Sequence, residues 1–262
     1  MRKGLFGIGW LVLFLVMTGL ASAGQFGPTE PTANPGKFSL GVGYFWEDTK
    51  WDVFDGTLRT QSHQAYLQGS FAPVKNFEIF GRLGGANLET KDTDLDLKDD
   101  AKLFGTLGMK VMFYEYKMFG LGAFAQGTYH FQDYKDSESF AGVDVINGIP
   151  ISIFETVDFK IKDYYDVQAG LSGQVKINQC IIYGGPFVYF GRAKLHVDAM
   201  ATASAQGRTA TASGSIRDTM EEKTTFGGFL GTKIAFTKQL GLTLEGQYRD
   251  EFSGGAFLSY SF

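Results

Sequence analysis

Eight charged residues, Glu78, Arg82, Lys102, Lys110, Asp166, Lys233, Glu245 and Arg249, stand in runs whose alternate positions are mostly apolar. Extended chain sends alternate side chains to opposite faces, so these charges gather on one side of their strands and the apolar residues on the other. If the apolar side faces outward, the charges line an interior. In a narrow interior they pair and close it; in a wider one they line a path for ions or small solutes.

Other residues could support hydrolysis. Asp94 and Asp96 could activate a water, and His196 with Asp198 could carry a proton. The only other histidines are His63 and His130, and no serine sits in a Gly-x-Ser-x-Gly turn. Asp92-Thr93-Asp94-Leu95-Asp96 supplies the first acidic positions of a calcium loop. Leu97 stands where that loop needs Gly and Leu103 where it needs Glu, so an EF-hand is excluded. No metal and no cofactor is expected. Cys180 is the one cysteine, so no internal disulfide forms, and it reads as a strand-end residue.

The elements that must position these groups show best at the end of the chain. Phe262, Tyr260, Leu258 and Ala256 alternate with Ser261, Ser259, Phe257 and Gly255, the pattern of a strand with one apolar face. An open apolar edge in water invites association, whereas a strand that closes a barrel in lipid has no such edge. At the other end, Arg2 and Lys3 precede an apolar run, Leu5 to Leu20, and the small-residue site Ala21-Ser22-Ala23. Residues 1–23 are read as a cleaved secretory signal peptide. Residues 24–36, with Pro28, Pro31 and Pro35 and no periodicity, are read as a periplasmic linker, and 37–262 as the barrel. Loss of Arg2 and Lys3 leaves 22 basic against 28 acidic residues, a formal charge of −6. That balance excludes nucleic acid as a partner.

Between the ends, about ten alternating strands are expected, within a range of 8–12, joined by short and long connections in turn. Short turns follow Phe71, Phe113, Val175 and Phe236; longer connections follow Trp46, Leu88, Phe131, Leu195 and Tyr248. Asn147-Gly148 within 133–157 predicts a hairpin that extends the wall. The small polar alternation of 197–224 suggests a protruding ribbon or a disordered loop. In the long strand from Phe159 to Val175, Ile161 and Tyr165 are placed outward and Lys160, Lys162, Tyr164 and Asp166 inward. In the next, Ile181, Tyr183, Phe187, Tyr189, Ala193 and Leu195 are placed outward, with a kink at Pro186. Tyr44, Trp46, Tyr129, Tyr165, Tyr189 and Tyr248 would then form an upper aromatic belt. Phe71, Phe77, Phe113, Phe236, Tyr260 and Phe262 would form a lower one.

Ser253, Gly255, Leu258, Tyr260 and Phe262 resemble the C-terminal assembly signal of bacterial outer-membrane barrels. With the leader and the strand pattern, the chain is similar to small outer-membrane barrels of the opacity or adhesion type. That resemblance implies an antiparallel up-and-down barrel in the outer membrane of a Gram-negative cell. Its implied partners are outer-membrane lipids, lipopolysaccharide, the barrel-assembly machinery and a surface ligand reached through the loops. The expected role is structural or surface-interactive and non-enzymatic, with a lumen filled by side chains; a narrow porin-like channel is the alternative. The Asp94/Asp96 and His196/Asp198 pairs also resemble the rim carboxylates and Asp–His pair of ten-stranded outer-membrane proteases of the omptin family, with the second pair in reversed order.

Overall fold

The computed structural model describes residues 24–53, 56–91, 98–146, 149–222 and 226–262, and every element in it is a β-strand. The strands are β1 (Lys37–Val53), β2 (Gly56–Val74), β3 (Phe77–Thr90), β4 (Lys98–Tyr116), β5 (Phe119–His130), β6 (Tyr134–Ile146), β7 (Ile149–Ile177), β8 (Cys180–Ala205), β9 (Arg208–Glu222), β10 (Phe226–Ala235), β11 (Leu240–Tyr248) and β12 (Phe252–Ser261). Ten of them form a closed antiparallel ring, in the order β1, β2, β3, β4, β5, β7, β8, β10, β11, β12 and back to β1. The other two are continuations. Tyr129 of β5 faces Tyr165 and Tyr134 of β6 faces Ile161, so β5 and β6 lie end to end along β7. In the same way β9 and β10 lie end to end along β8. The ring therefore has the expected ten staves, two of them broken.

Closure joins the first strand to the last. Ser39 faces Ser261 and Glu47 faces Ser253, and the Phe262 N–H donates to the Phe38 carbonyl at 3.1 Å. At the lower rim Asn76, Lys117 and Asn178 take positive φ in two-residue turns. Two of the three are Asn, which tolerates that conformation. Phe38, Leu40, Leu67, Leu107, Leu171 and Leu230 are exposed on the outer wall, while Gln64, Gln68, Glu78, Arg82, Gln126 and Gln168 are buried within. An apolar exterior around a polar interior is the pattern of a barrel that meets lipid. Tyr129, Tyr165 and Tyr248 are exposed at the upper end and Phe113, Phe236, Tyr260 and Phe262 at the lower; Tyr44, Trp46, Phe71 and Phe77 are half-buried, Phe71 stacked on Phe38 at 4.6 Å.

Two strands depart from their expected faces. In β8, Ile181, Tyr183, Phe187, Tyr189, Ala193 and Leu195 point inward, and Ile182, Val188 and Phe190 point outward. Tyr189 is thus a lumen residue and not part of the belt. Both faces of β8 are apolar, so alternation alone gives no direction. Pro186 interrupts the ladder to β7 between the Gly170–Phe187 and Gly173–Gly184 pairs, without a change of register. In β7 a bulge lies between Lys162 and Tyr165, with Asp163 at φ +51°. The extra residue exchanges the faces above it. Ile161 and Phe159 turn inward, and Lys160 and Lys162 turn outward.

Above the ring, β6, the first half of β7, the second half of β8 and β9 form a four-stranded ribbon. One hairpin brings Ile146 opposite Ile149; Asn147 and Gly148 lie outside the described residues. The other turns at Gln206 and Gly207, both at positive φ, the geometry of a type I′ turn. Segment 197–224 is therefore ordered strand over most of its length.

Candidate functional site

The lumen is filled in three tiers. The lowest is made by residues 24–33, which run inside the barrel, while Asn34, Pro35 and Gly36 are exposed at its lower mouth. This corrects the periplasmic linker: the segment lacks ladder periodicity because lumen side chains, not neighbouring strands, hold its backbone. Glu245 on β11 accepts four hydrogen bonds. Phe26 N and Gln247 Nε2 donate to Oε1, each at 2.8 Å; Gly27 N and Tyr183 Oη donate to Oε2 at 2.7 and 2.8 Å. Gly27 takes φ +70°, which aims two successive N–H groups at one carboxylate. The Phe26 ring stacks on Phe124 at 4.1 Å and meets Phe187 and Phe229 edge-on at 5.0 Å. Burying a phenylalanine is worth about 2–3 kcal/mol, so this ring is the apolar anchor of the segment.

Other lumen residues complete the grip. Arg82 donates to the Gln25 carbonyl and, at 2.7 Å, to Gln68 Oε1, and its guanidinium lies against the Tyr66 and Phe80 rings. Gln247 donates to the Gly24 carbonyl and Thr29 hydrogen-bonds to Gln174 at 3.2 Å. Thr32 N donates to Glu78, and Lys110 Nζ lies 4.0 Å from the same carboxylate. Lys176 pairs with Glu30 at 2.7 Å, and Lys233 lines the lower mouth beside Asn34 and Ser261.

The middle tier is ionic. Arg249 pairs with Glu47 at 3.0 Å and with Glu222, and its guanidinium stands 3.8 Å from the Tyr189 ring centroid. Asp166 is buried on β7, facing Thr128 on one side and Gly191 on the other. The upper tier is apolar: Trp51, Leu88, Tyr134, Ile161, Tyr164, Leu195 and Met220 pack across the mouth. Tyr164 stacks on His130 at 4.2 Å, and His130 Nδ1 lies 2.9 Å from Tyr134 Oη.

Of the eight charges read from the sequence, Glu78, Arg82, Lys110 and Glu245 meet around the segment, and Arg249 and Asp166 sit above it. Lys102 lies at the upper rim instead, 2.9 Å from Asp99. The sequence reading missed Glu47 and Glu222, having assigned both to connections. The continued alternation of Glu47, Thr49, Trp51 and Val53 beyond Trp46 was the available signal. Gly255 of the tail has a structural reason. A Cβ there would lie 2.5 Å from Phe45 Cδ2 and from the Tyr44 carbonyl, so glycine lets β12 close on β1 without displacing either.

Asp94 and Asp96 lie outside the described residues. His196 and Asp198 share the outer face of the ribbon, His196 between Lys160 and Arg217, and Asp198 between Asp158 and Ser215. At the upper rim Glu251 receives Lys50 at 2.7 Å and Arg59 at 2.8 Å. The Lys50 hydrogen bond, with the positive charge of both partners, holds its carboxyl below the usual range.

No family model matches the chain, and no curated protein matches it. Solved barrels do. The translocator domain of autotransporter NalP from Neisseria meningitidis aligns with TM-score 0.41 and 11% identity over 98% of this chain and 95% of that one. An outer membrane channel from Pseudomonas putida F1 aligns with TM-score 0.42 and 12% identity over 91% and 99%. Outer membrane protease OmpT from Escherichia coli aligns with TM-score 0.39 and 10% identity over 90% and 100%. At these values none of the three likenesses bears on what the chain does.

Proposed function

We propose that the chain is an integral outer-membrane barrel that passes no solute and acts at the cell surface through its β6–β9 ribbon. The apolar outer wall with aromatic ends supports the membrane location. The observation that carries the closed lumen is Phe26, buried among Phe124, Phe187 and Phe229 while its N–H is fixed on Glu245. An open path would have to displace that ring, break the Arg249–Glu47 pair and part the Trp51 cluster. The ribbon offers exposed Phe140, Val143, Phe154, Met200 and Ile216 beyond the ring, on a scaffold held by the barrel below.

Planar-bilayer recording on the purified chain tests the closed lumen, with no discrete conductance steps expected. Steps of defined ion selectivity would reverse the proposal in favour of a narrow channel. Shortening both hairpins while keeping the ring tests the ribbon. Surface binding by cells carrying the shortened chain should fall, and unchanged binding would refute the surface role.

A further inference from the structure

The β7 bulge has a chemical result on the outside of the barrel. Directly paired residues share a face, so the pairings order the outer wall in rows. The first row above the lipid-facing wall runs Tyr129, Tyr165, Arg192. The next holds Lys162 beside Lys194, and the one beyond it runs Lys135, Lys160, His196, Arg217. Successive same-face rows lie about 6.8 Å apart along a strand. The cations therefore begin level with the aromatic row and end roughly 14 Å beyond it, measured along the strand. Next outward, Asp158 faces Asp198 and bounds the patch.

This clustering is not general to the chain, whose formal charge after residue 23 is −6. On the opposite wall the cations are paired: Lys50 and Arg59 with Glu251, and Lys91 with Asp48. Within the patch Lys194 pairs with Asp163 at 2.7 Å and Arg192 with Glu221 at 3.5 Å. Lys160, Lys162 and Arg217 have no carboxylate within 4.0 Å among the described residues. Aromatic side chains mark the boundary between hydrocarbon and headgroups. Lysines and an arginine just beyond them, without a carboxylate at ion-pair distance among the described residues, fit phosphate groups held at that depth, Arg217 as a two-pronged donor and the lysines as point charges.

We propose that this outward patch, centred on Lys160, Lys162 and Arg217, binds the phosphorylated headgroup of an outer-leaflet glycolipid of the lipopolysaccharide type. The proposal rests on the membrane-barrel reading above. The test uses the full purified chain in nanodiscs of zwitterionic phospholipid. Traces of bisphosphorylated, monophosphorylated or dephosphorylated lipid A are added, and retained lipid is read by native mass spectrometry. Retention should fall with each phosphate removed. It should also fall at least about tenfold in K160S/K162S/R217S, given the pull of each cation at a membrane surface. The charge-matched K75S/K117S/K238S variant at the opposite rim should retain as the wild type does. Equal retention of the three lipids by the wild type overturns the site even if the triple variant does not fold. An undiminished triple variant also overturns it, as does binding of inorganic pyrophosphate without any lipid retention. Heat-modifiable gel mobility is read alongside. A chain that inserts but retains no lipid defeats the patch alone, and a chain that does not insert defeats the membrane reading.

Discussion

Phe26 donates its backbone N–H to Glu245 Oε1 at 2.8 Å, across 219 residues of sequence. The contact fixes the segment ahead of β1 on the second-last stave. Replacing Glu245 with Ala removes the acceptor for Phe26 N, Gly27 N and Tyr183 Oη at once. Hydrogen bonds to a charged group are worth about 1.5–3 kcal/mol each, so the segment should lose at least about 3 kcal/mol of its hold. Amide exchange at Phe26 and Gly27 should accelerate while the ring stays intact by gel mobility. Unchanged protection would show that Glu245 is not the anchor.

Gly255 lies where β12 meets Phe45 and the Tyr44 carbonyl. Gly255→Ala should destabilise the closing seam by about 1–3 kcal/mol, the usual cost of an added methyl in a packed site. Urea unfolding in vesicles reads the shift. Because a backbone carbonyl is among the atoms met, adding Phe45→Leu should restore only part of the loss.

The β8–β9 turn places Gln206 at φ +51° ahead of Gly207. Asparagine enters that region more readily than glutamine. Gln206→Asn should therefore stabilise the hairpin by about 0.5 kcal/mol. Slower amide exchange between Met200 and Ser213 would register the gain, and faster exchange would count against the turn assignment.

Glu251 carries a pH prediction. Its carboxyl titrates lower in the folded chain than in the unfolded one, chiefly through the Lys50 hydrogen bond. Its stabilisation is complete above the unfolded value, about 4.3, and is lost as pH falls through the folded value. At the solvated rim the effect should stay below about 1 kcal/mol. Proteolysis of the β1–β2 end should quicken on going from pH 6 to pH 3 in the wild type, and Glu251→Gln should remove that dependence.

How much of this was legible in the sequence follows from what each strand's two faces contain. β1 and β12 each oppose an apolar face to one that is small or polar apart from Phe45 and Phe257, so their direction and pairing could be read. β8 carries aromatics on both faces, and composition could not say which side faced the lumen. In β7 the expected alternation failed at one residue, Asp163, because a bulge is a property of backbone register and leaves no compositional trace. The lumen charges Glu78, Arg82, Lys110 and Glu245 were found from alternation alone. Their occupant was not: Gln25, Phe26 and Thr29 lie in a proline-rich stretch without period, and their partners lie from 41 to 219 residues away in sequence.

The buried segment sets an order on folding. Phe26 needs Phe187, Phe229 and Glu245, so its docking site does not exist until the last quarter of the chain has joined the ring. Residues 24–33 must therefore stay unplaced while the wall grows, and settle only as β11 and β12 arrive. Contacts between such distant residues are the slow ones. The segment before β1 and the last strands of the ring thus complete their folding in the same late step.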